Sequence, residues 1–286
     1  MRLCRFDEDR IGVVRGSMVH DVSAVIELLP AVRYPFPPGD ALIANLDRLR
    51  GDIETLADGA PGRPVSEVCL KSPVANPTKI IGTPQNYELH AAEATADHQI
   101  SGGRARRPMA DQGLFLKAAS ALVGPGEGVA VRFPDRRTDH EAELGVVIGR
   151  AGSDIARDDA LAHVAGYAIA MDMVVRGPED RSFRKSVDTY AVLGPWLVTA
   201  DEAPAPDAMS FTLSVDGVIR QSAHTRDMIL DVPGQIAWAS RFYTLYPGDI
   251  LMSGTCDGVG RVQPGDVMHL EFDGIGSMDV PVRTHE

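Results

Sequence analysis

Thr138-Asp139-His140-Glu141-Ala142-Glu143-Leu144-Gly145-Val146-Val147-Ile148-Gly149 sets two carboxylates two residues apart at the mouth of an apolar strand. Side chains at i and i+2 of a strand share a face, so Glu141 and Glu143 crowd one side while Ala142 and Leu144 pack behind. Like charges held that close repel. Three arrangements relieve them: solvation on an open edge strand, a raised pKa on one acid, or a hard cation bound between them. A third acid, Asp172, ends a second apolar strand-like run, Gly166-Tyr167-Ala168-Ile169-Ala170-Met171-Asp172-Met173. Three carboxylates at strand ends make an oxygen-only donor set, which suits Mg²⁺ or Mn²⁺ and not zinc, whose preferred ligands are nitrogen and sulfur.

The rest of the chain bounds what such a site can serve. Its 286 residues, 44% of them hydrophobic, allow one large domain or two with a substantial core. Lys and Arg number 28 against 40 Asp and Glu, a formal charge of −12 that argues against nucleic-acid partners, which need a basic surface. Cys4, Cys69 and Cys256 are odd in number and far apart, so they form neither a disulfide framework nor a CxxC site, and a reducing cytoplasm fits. No apolar run approaches a membrane span, and Arg2, Arg5, Asp7 and Glu8 interrupt the N-terminus too early for a signal peptide, so a cytoplasmic protein with no membrane partner is expected.

Two domains are expected: a small β-rich module over 1–74 and a larger unit over 75–286. In the first, strands over Met1 to Phe6, Ile11 to Val14 and Met18 to Val22 form a meander. A short helix follows to Leu29, capped by Asp21 or Ser23, and a second helix runs from about Asp40 to Leu56 beyond a Pro-rich loop. Val65 to Leu70 reads as extended. Asn76 to Ala94 then goes strand, turn, helix, and His90 and Glu93 stand three apart on that helix, where the carboxylate can orient the imidazole and raise its basicity. The same spacing also fits a plain surface pair. Ser101 to Pro108 is basic, glycine-rich and without periodicity, and reads as a mobile loop beside the candidate base. Lys117, at a strand end, fits either the surface or a substrate contact. A helix is expected over Gly152 to Val164 with Ser153 as cap, another over Ile236 to Phe242, and the last third is otherwise short strands. Cys256, without a nearby His, reads as a buried inert thiol.

Five ordered blocks resemble the fumarylacetoacetate hydrolase family: Lys79-Ile80-Ile81 with Asn86-Tyr87, His90 and Glu93; Leu114 through Gly126; Asp139 through Gly149; Asp172 through Val198; and Leu245 through Thr255. The resemblance implies an α+β, predominantly β fold, a mixed β-sandwich or β-roll closed by its own strands, with a small N-terminal domain, and a homodimer. It implies that Glu141, Glu143 and Asp172 hold Mg²⁺ or Mn²⁺. By the same likeness His90 and Glu93 form a base dyad, Lys185 is catalytic, and Arg176, Glu179, Lys117, Thr255 and Tyr87 bind substrate. Met171 replaces a usual Asn, Glu179 a usual Gln, Cys256 a usual Pro, and Ala118 and Ala119 a pair of prolines.

The activity implied is hydrolytic carbon–carbon cleavage of an acylpyruvate-like β-diketo acid, of the kind met in aromatic catabolism, with a small 2-oxo acid as substrate. The same scaffold also serves decarboxylases, isomerases and tautomerases of 2-oxo acids, and the presence of both His90 and Glu93 favours hydrolysis, the reaction that needs an activated water. A fold that has lost its chemistry is the rival from another class. An ionised Glu179 facing the substrate would disfavour a second substrate carboxylate, so a neutral or hydroxylated acyl group is expected.

Overall fold

Strict alternation along Ala142–Ile148 gives this strand two buried faces. Ala142, Leu144, Val146 and Ile148 point into one apolar cluster and Val147 into another. The structure, a computed structural model, describes residues 1–101 and 107–285. In it Ala142–Ile148 lies deep inside a sheet and not at an edge, paired antiparallel with Val164–Asp172 on one side and Ile250–Met252 on the other. That position removes solvation as the answer to the paired acids.

Among the described residues this largest sheet has twelve strands. From Ala142–Ile148 it runs one way through Val164–Asp172 and Ala191–Thr199 to the N-terminal meander Arg2–Phe6, Arg10–Arg15 and Met18–Asp21, and then to Gly62–Pro64. The other way it passes Ile250–Met252 to Ile80–Gly82, which pairs parallel with it, and ends at Phe115–Lys117. The N-terminal strands join this sheet directly, Arg2 and Leu3 pairing with Val198 and Leu197. One face packs on the helix Leu46–Gly59 through Leu49 and Ile53. The other packs on a second sheet of Val218–His224, Ser210–Val215, Val267–Phe272, Gly276–Thr284 and Val129–Val131, where the rings of Phe211 and Phe272 stack at 4.5 Å. The result is the expected α+β, predominantly β architecture of facing sheets, although the main sheet keeps two free ends and does not close into a barrel.

Several boundaries differ from expectation for local reasons. The first short helix, Ser23–Leu28, is 3₁₀ and Val22 is its cap residue, with Asp21 instead accepting from Ser23 N–H at 2.8 Å. The second helix is broken after Ala44, with Asp40 capping its first turn, and resumes as Leu46–Gly59. Val65–Glu67 is a 3₁₀ turn and not extended. The link between the two acid-bearing strands is a 3₁₀ helix confined to Arg157–His163, because Gly152 is drawn into a β-bridge with Leu245, and Ser153 caps nothing. The helix expected over Ile236 to Phe242 spans Val232–Ser240, with Asp231 accepting from Gly234 N–H as its cap. Of the expected mobile loop, residues 102–106 lie outside the described residues, and short helices His98–Ser101 and Met109–Gln112 flank them.

Candidate active site

The pairing register brings the three acids together. Ala142 lies opposite Met171 and Glu143 opposite Ala170, so Glu141 falls opposite Asp172, whose N–H donates to the Glu141 carbonyl at 2.9 Å. Glu143, two residues on, shares their face of the sheet. Each of the three offers a carboxylate oxygen within 4.8 Å of the others, and all three residues are buried. An all-oxygen, trianionic donor set of this kind fits a hard divalent cation.

Cations of the chain are built into the same cluster. Lys185 Nζ donates to Glu141 Oε2 at 2.5 Å and to Asp172 Oδ2. Lys117 Nζ donates to Asp172 Oδ1 and, at 2.9 Å, to the carbonyl of Tyr190. Arg176 spans Asp139 Oδ2 at 2.8 Å and Glu141 Oε1 at 3.0 Å. Lys117 is fully enclosed, which rules out the surface reading; burial pulls its pKa down while Asp172 works against that. Burial pushes Glu141 up, but Lys185 and then Arg176 outweigh it and hold the carboxyl well below the usual range. Glu143 goes the other way: burial and the neighbouring Asp172 raise it well above its ordinary value, although Gly254 N–H donates to it at 2.8 Å. Gly254 sits at φ +92°, and a Cβ there would meet Asn86 Cβ at 2.5 Å, so the turn that delivers this N–H requires glycine.

His90 and Glu93 occupy the helix Glu88–Ala96, which follows Ile80–Gly82. His90 Nδ1 lies 3.0 Å from Glu93 Oε2, and Glu93 Oε1 accepts from Gly258 N–H at 3.0 Å. A carboxylate only accepts, so Nδ1 carries the proton and Nε2 holds the lone pair. His90, Glu141, Glu143, Asp172, Arg176 and Lys185 line a single cavity of about 600 Å³. Thr255 lines it too. Its Oγ1 accepts from Gln221 Nε2 at 2.7 Å, which leaves its own O–H to donate into the cavity.

Three residues expected at the substrate do not line the cavity: Lys117, enclosed beside Asp172, and two that lie elsewhere. Tyr87 is buried in the core, edge-on to Phe211 at 6.3 Å, and is not part of the cavity wall; burial raises its pKa. Glu179 turns away from the cavity into a two-pronged pair with Arg136, at 3.0 and 2.8 Å. The guanidinium fork offers an ionised carboxylate more than an open cavity does, so the expectation of a neutral acyl group loses its basis. Cys256 is buried, and its thiol is pushed up to about 12 by burial.

Asp139 and Gln221 were not assigned roles by sequence. Asp139 anchors Arg176 and also accepts from Arg137 Nε at 2.6 Å. Gln221 reaches in from Val218–His224, a largely exposed strand. Its Oε1 accepts from Ala142 N–H at 3.0 Å and from His140 Nδ1 at 3.1 Å, and its Nε2 reaches Thr255 Oγ1 and the Cys256 carbonyl. His140 Nε2 is left as a buried nitrogen without a partner among the described residues, and burial lowers the pKa of this ring. No motif marks Gln221, since its neighbours alternate as a surface strand.

A family model, the C-terminal domain of fumarylacetoacetate (FAA) hydrolase, matches residues 79–283, and the chain belongs to that family. Among individual proteins it is similar to the maleylpyruvate hydrolase of Aquipseudomonas alcaligenes, 50% identical over 286 residues that cover 99% of this chain and 100% of that one. It is 36% identical over 275 residues to the human mitochondrial oxaloacetate tautomerase FAHD2A, covering 91% of this chain and 82% of that one. In three dimensions it resembles the maleylpyruvate hydrolase of Sphingobium sp. SYK-6, crystallised with manganese(II) and pyruvate, with a TM-score of 0.83, 39% identity and 100% coverage of both chains.

Proposed function

We propose that this chain is a divalent-metal-dependent hydrolase that cleaves the carbon–carbon bond of an acylpyruvate and releases pyruvate and the acid of the acyl group. The observation that carries this reading is the convergence, in one cavity, of the Glu141, Glu143 and Asp172 carboxylates with a histidine whose Nδ1 is held by Glu93. Likeness to the two maleylpyruvate hydrolases supports it.

Glu141, Glu143 and Asp172 would hold Mg²⁺ or Mn²⁺, which when bound supplies Lewis-acid polarisation of a 2-oxo acid's oxygens. His90 Nε2 takes a proton from water, and Glu93 stabilises the imidazolium that forms. The water oxygen bonds to the distal acyl carbon and the bond from that carbon to the methylene breaks. The electron pair leaves with the three-carbon fragment as the enolate of pyruvate, and a proton to the methylene carbon completes the product. Lys185, the ammonium between Glu141 and Asp172, offsets the enolate charge. Arg176, held in place by Asp139, and the Thr255 hydroxyl orient the 2-oxo acid end.

We further propose a homodimer acting in the cytoplasm on ring-cleavage products of aromatic catabolism. No helix among the described residues is long and apolar enough to cross a membrane. The test of the activity is a product assay on maleylpyruvate with Mn²⁺. Pyruvate and the four-carbon diacid should appear in equal amounts and stop on chelation. Interconversion of keto and enol forms without cleavage would instead favour the tautomerase chemistry named for the human relative.

A further inference from the structure

His90 and Glu93 ride on a nine-residue helix, and a base serves a reaction while its carrier stays over the reacting atoms. The root of this helix is fixed by Asn86. Its Nδ2 donates to the carbonyls of Leu230 at 2.8 Å and Ser253 at 2.7 Å, and its Oδ1 accepts from Leu230 N–H at 2.8 Å. At the far end stands Asp97, whose N–H donates to the Glu93 carbonyl at 2.8 Å and closes the last turn. Asp97 Oδ1 accepts from Gln99 N–H at 2.8 Å, and its carbonyl accepts from Ile100 N–H at 3.0 Å. Asp97 therefore also shapes the turn that brings Ile100 into the cavity wall.

The other oxygen of Asp97 is gripped from a distant part of the chain. Arg137 Nη1 donates to Asp97 Oδ2 at 2.8 Å, while Nε of the same guanidinium donates to Asp139 Oδ1 at 2.6 Å. Asp139, fully buried, holds Arg176 Nε on its second oxygen at 2.8 Å. Arg137 is anchored through its backbone as well. Its carbonyl accepts from Arg176 N–H at 2.8 Å, beside the ladder in which Thr138 and Asp139 pair with Val175 and Val174. The anchor thus belongs to buried strands and the anchored group to the end of a short helix, so the pair holds the helix to the sheet. A guanidinium suits the task because two of its nitrogens serve two carboxylates at once, which one ammonium does not reproduce.

We infer that Arg137 is a positioning residue: through Asp97 it holds the helix of His90 and Glu93 over the three acids, and through Asp139 it gives Arg176 the same point of reference. This rests on the hydrolase reading, in which His90 must meet a water beside a substrate that Arg176 orients. Displacement of a reacting group by about 1 Å can cost 10²-fold in rate, so a tie remote from the chemistry has leverage on it.

The test is Asp97→Asn, which keeps an acceptor for Gln99 N–H, leaves Asp139 and Arg176 in place and removes the charge that Arg137 grips. With Mn²⁺ and maleylpyruvate, kcat should fall roughly 3–30-fold, the range for a charged hydrogen bond between groups 22% and 34% exposed. KM and calorimetric Mn²⁺ affinity should stay nearly unchanged. Amides of residues 88–100 should exchange faster with heavy water, a readout that needs no turnover. Asp97→Glu, which restores the charge, should recover part of kcat. In an Arg137→Gln background, Asp97→Asn should produce no further fall. Unchanged exchange over 88–100 overturns the tie. A loss expressed in KM alone, or one that adds in full to that of Arg137→Gln, overturns the positioning role. A wild type that releases no pyruvate overturns the hydrolase reading, and the exchange measurement still decides the tie.

Discussion

The two ends of the cavity are made differently. The inner end is three carboxylates on one face of neighbouring central strands, with Lys117, Lys185 and Arg176 locked among them and nearly all of it buried. The outer end is Gln85, Gln112 and Arg181, carried on a turn and two short helices and partly open to solvent. Register in a central sheet is strongly specified, because a slip by one residue would turn every buried side chain to the other face. Short helices and turns can change without that cost. The contrast is between an end that the register of a central sheet holds and an end carried on elements that can change, in a family whose members include a maleylpyruvate hydrolase and an oxaloacetate tautomerase.

The strongest way to break this contrast is at the inner end. Asp172→Ala should abolish turnover and Mn²⁺ binding, and it should also lower stability by about 3–5 kcal/mol, because Lys117 is left buried without its carboxylate. Chemical denaturation and calorimetric titration would check both. Glu143→Ala should lose Mn²⁺ binding with far less loss of stability, since Glu143 has no ion pair among the described residues. Equal destabilisation by the two substitutions would contradict the cluster as drawn.

His90→Ala separates base from binding site. It should leave Mn²⁺ affinity nearly unchanged and lower hydrolysis by roughly 10²–10⁴-fold. Full turnover on a cleaved substrate would remove the dyad from the chemistry.

Smaller effects sharpen the boundary between the ends. Gln221→Leu would leave the Ala142 N–H and the His140 Nδ1–H without their acceptor, at about 1–3 kcal/mol for each buried donor. Gln221→Glu keeps that acceptor but cannot donate to Thr255 when ionised, and should raise KM more than it lowers kcat. The smallest effect is expected of Glu179→Gln. Glu179 pairs with Arg136 outside the cavity, so the preference between diacid and neutral acylpyruvates should not move. A shift in that ratio would place Glu179 back at the substrate.

These residues also mark how far sequence alone reaches. The acids of the inner end were legible because strand periodicity places Glu141 and Glu143 on one face, and the helical spacing of His90 and Glu93 sets the dyad. Asp172 was marked by its place at the end of a second apolar run, and resemblance to the family added Lys185 and Arg176. What periodicity does not carry is which strands become neighbours. Lys117 fitted either the surface or a substrate contact, and only the pairing of Phe115–Lys117 with Ile80–Gly82 encloses its ammonium beside Asp172. Gln221 lies on a strand whose pattern is that of a surface, and only the approach of the second sheet brings it to Thr255. Glu179 misled for a related reason: its partner Arg136 stands 43 positions away, and no local spacing indicates that pair.

The most direct test of the central claim, that His90 activates water for carbon–carbon cleavage, is to run the reaction on maleylpyruvate with Mn²⁺ in heavy-oxygen water and weigh the diacid released. One labelled oxygen per diacid molecule, with release falling in His90→Ala in step with turnover, is the expected result. Diacid released without label, or isomerised substrate with no diacid at all, would contradict it.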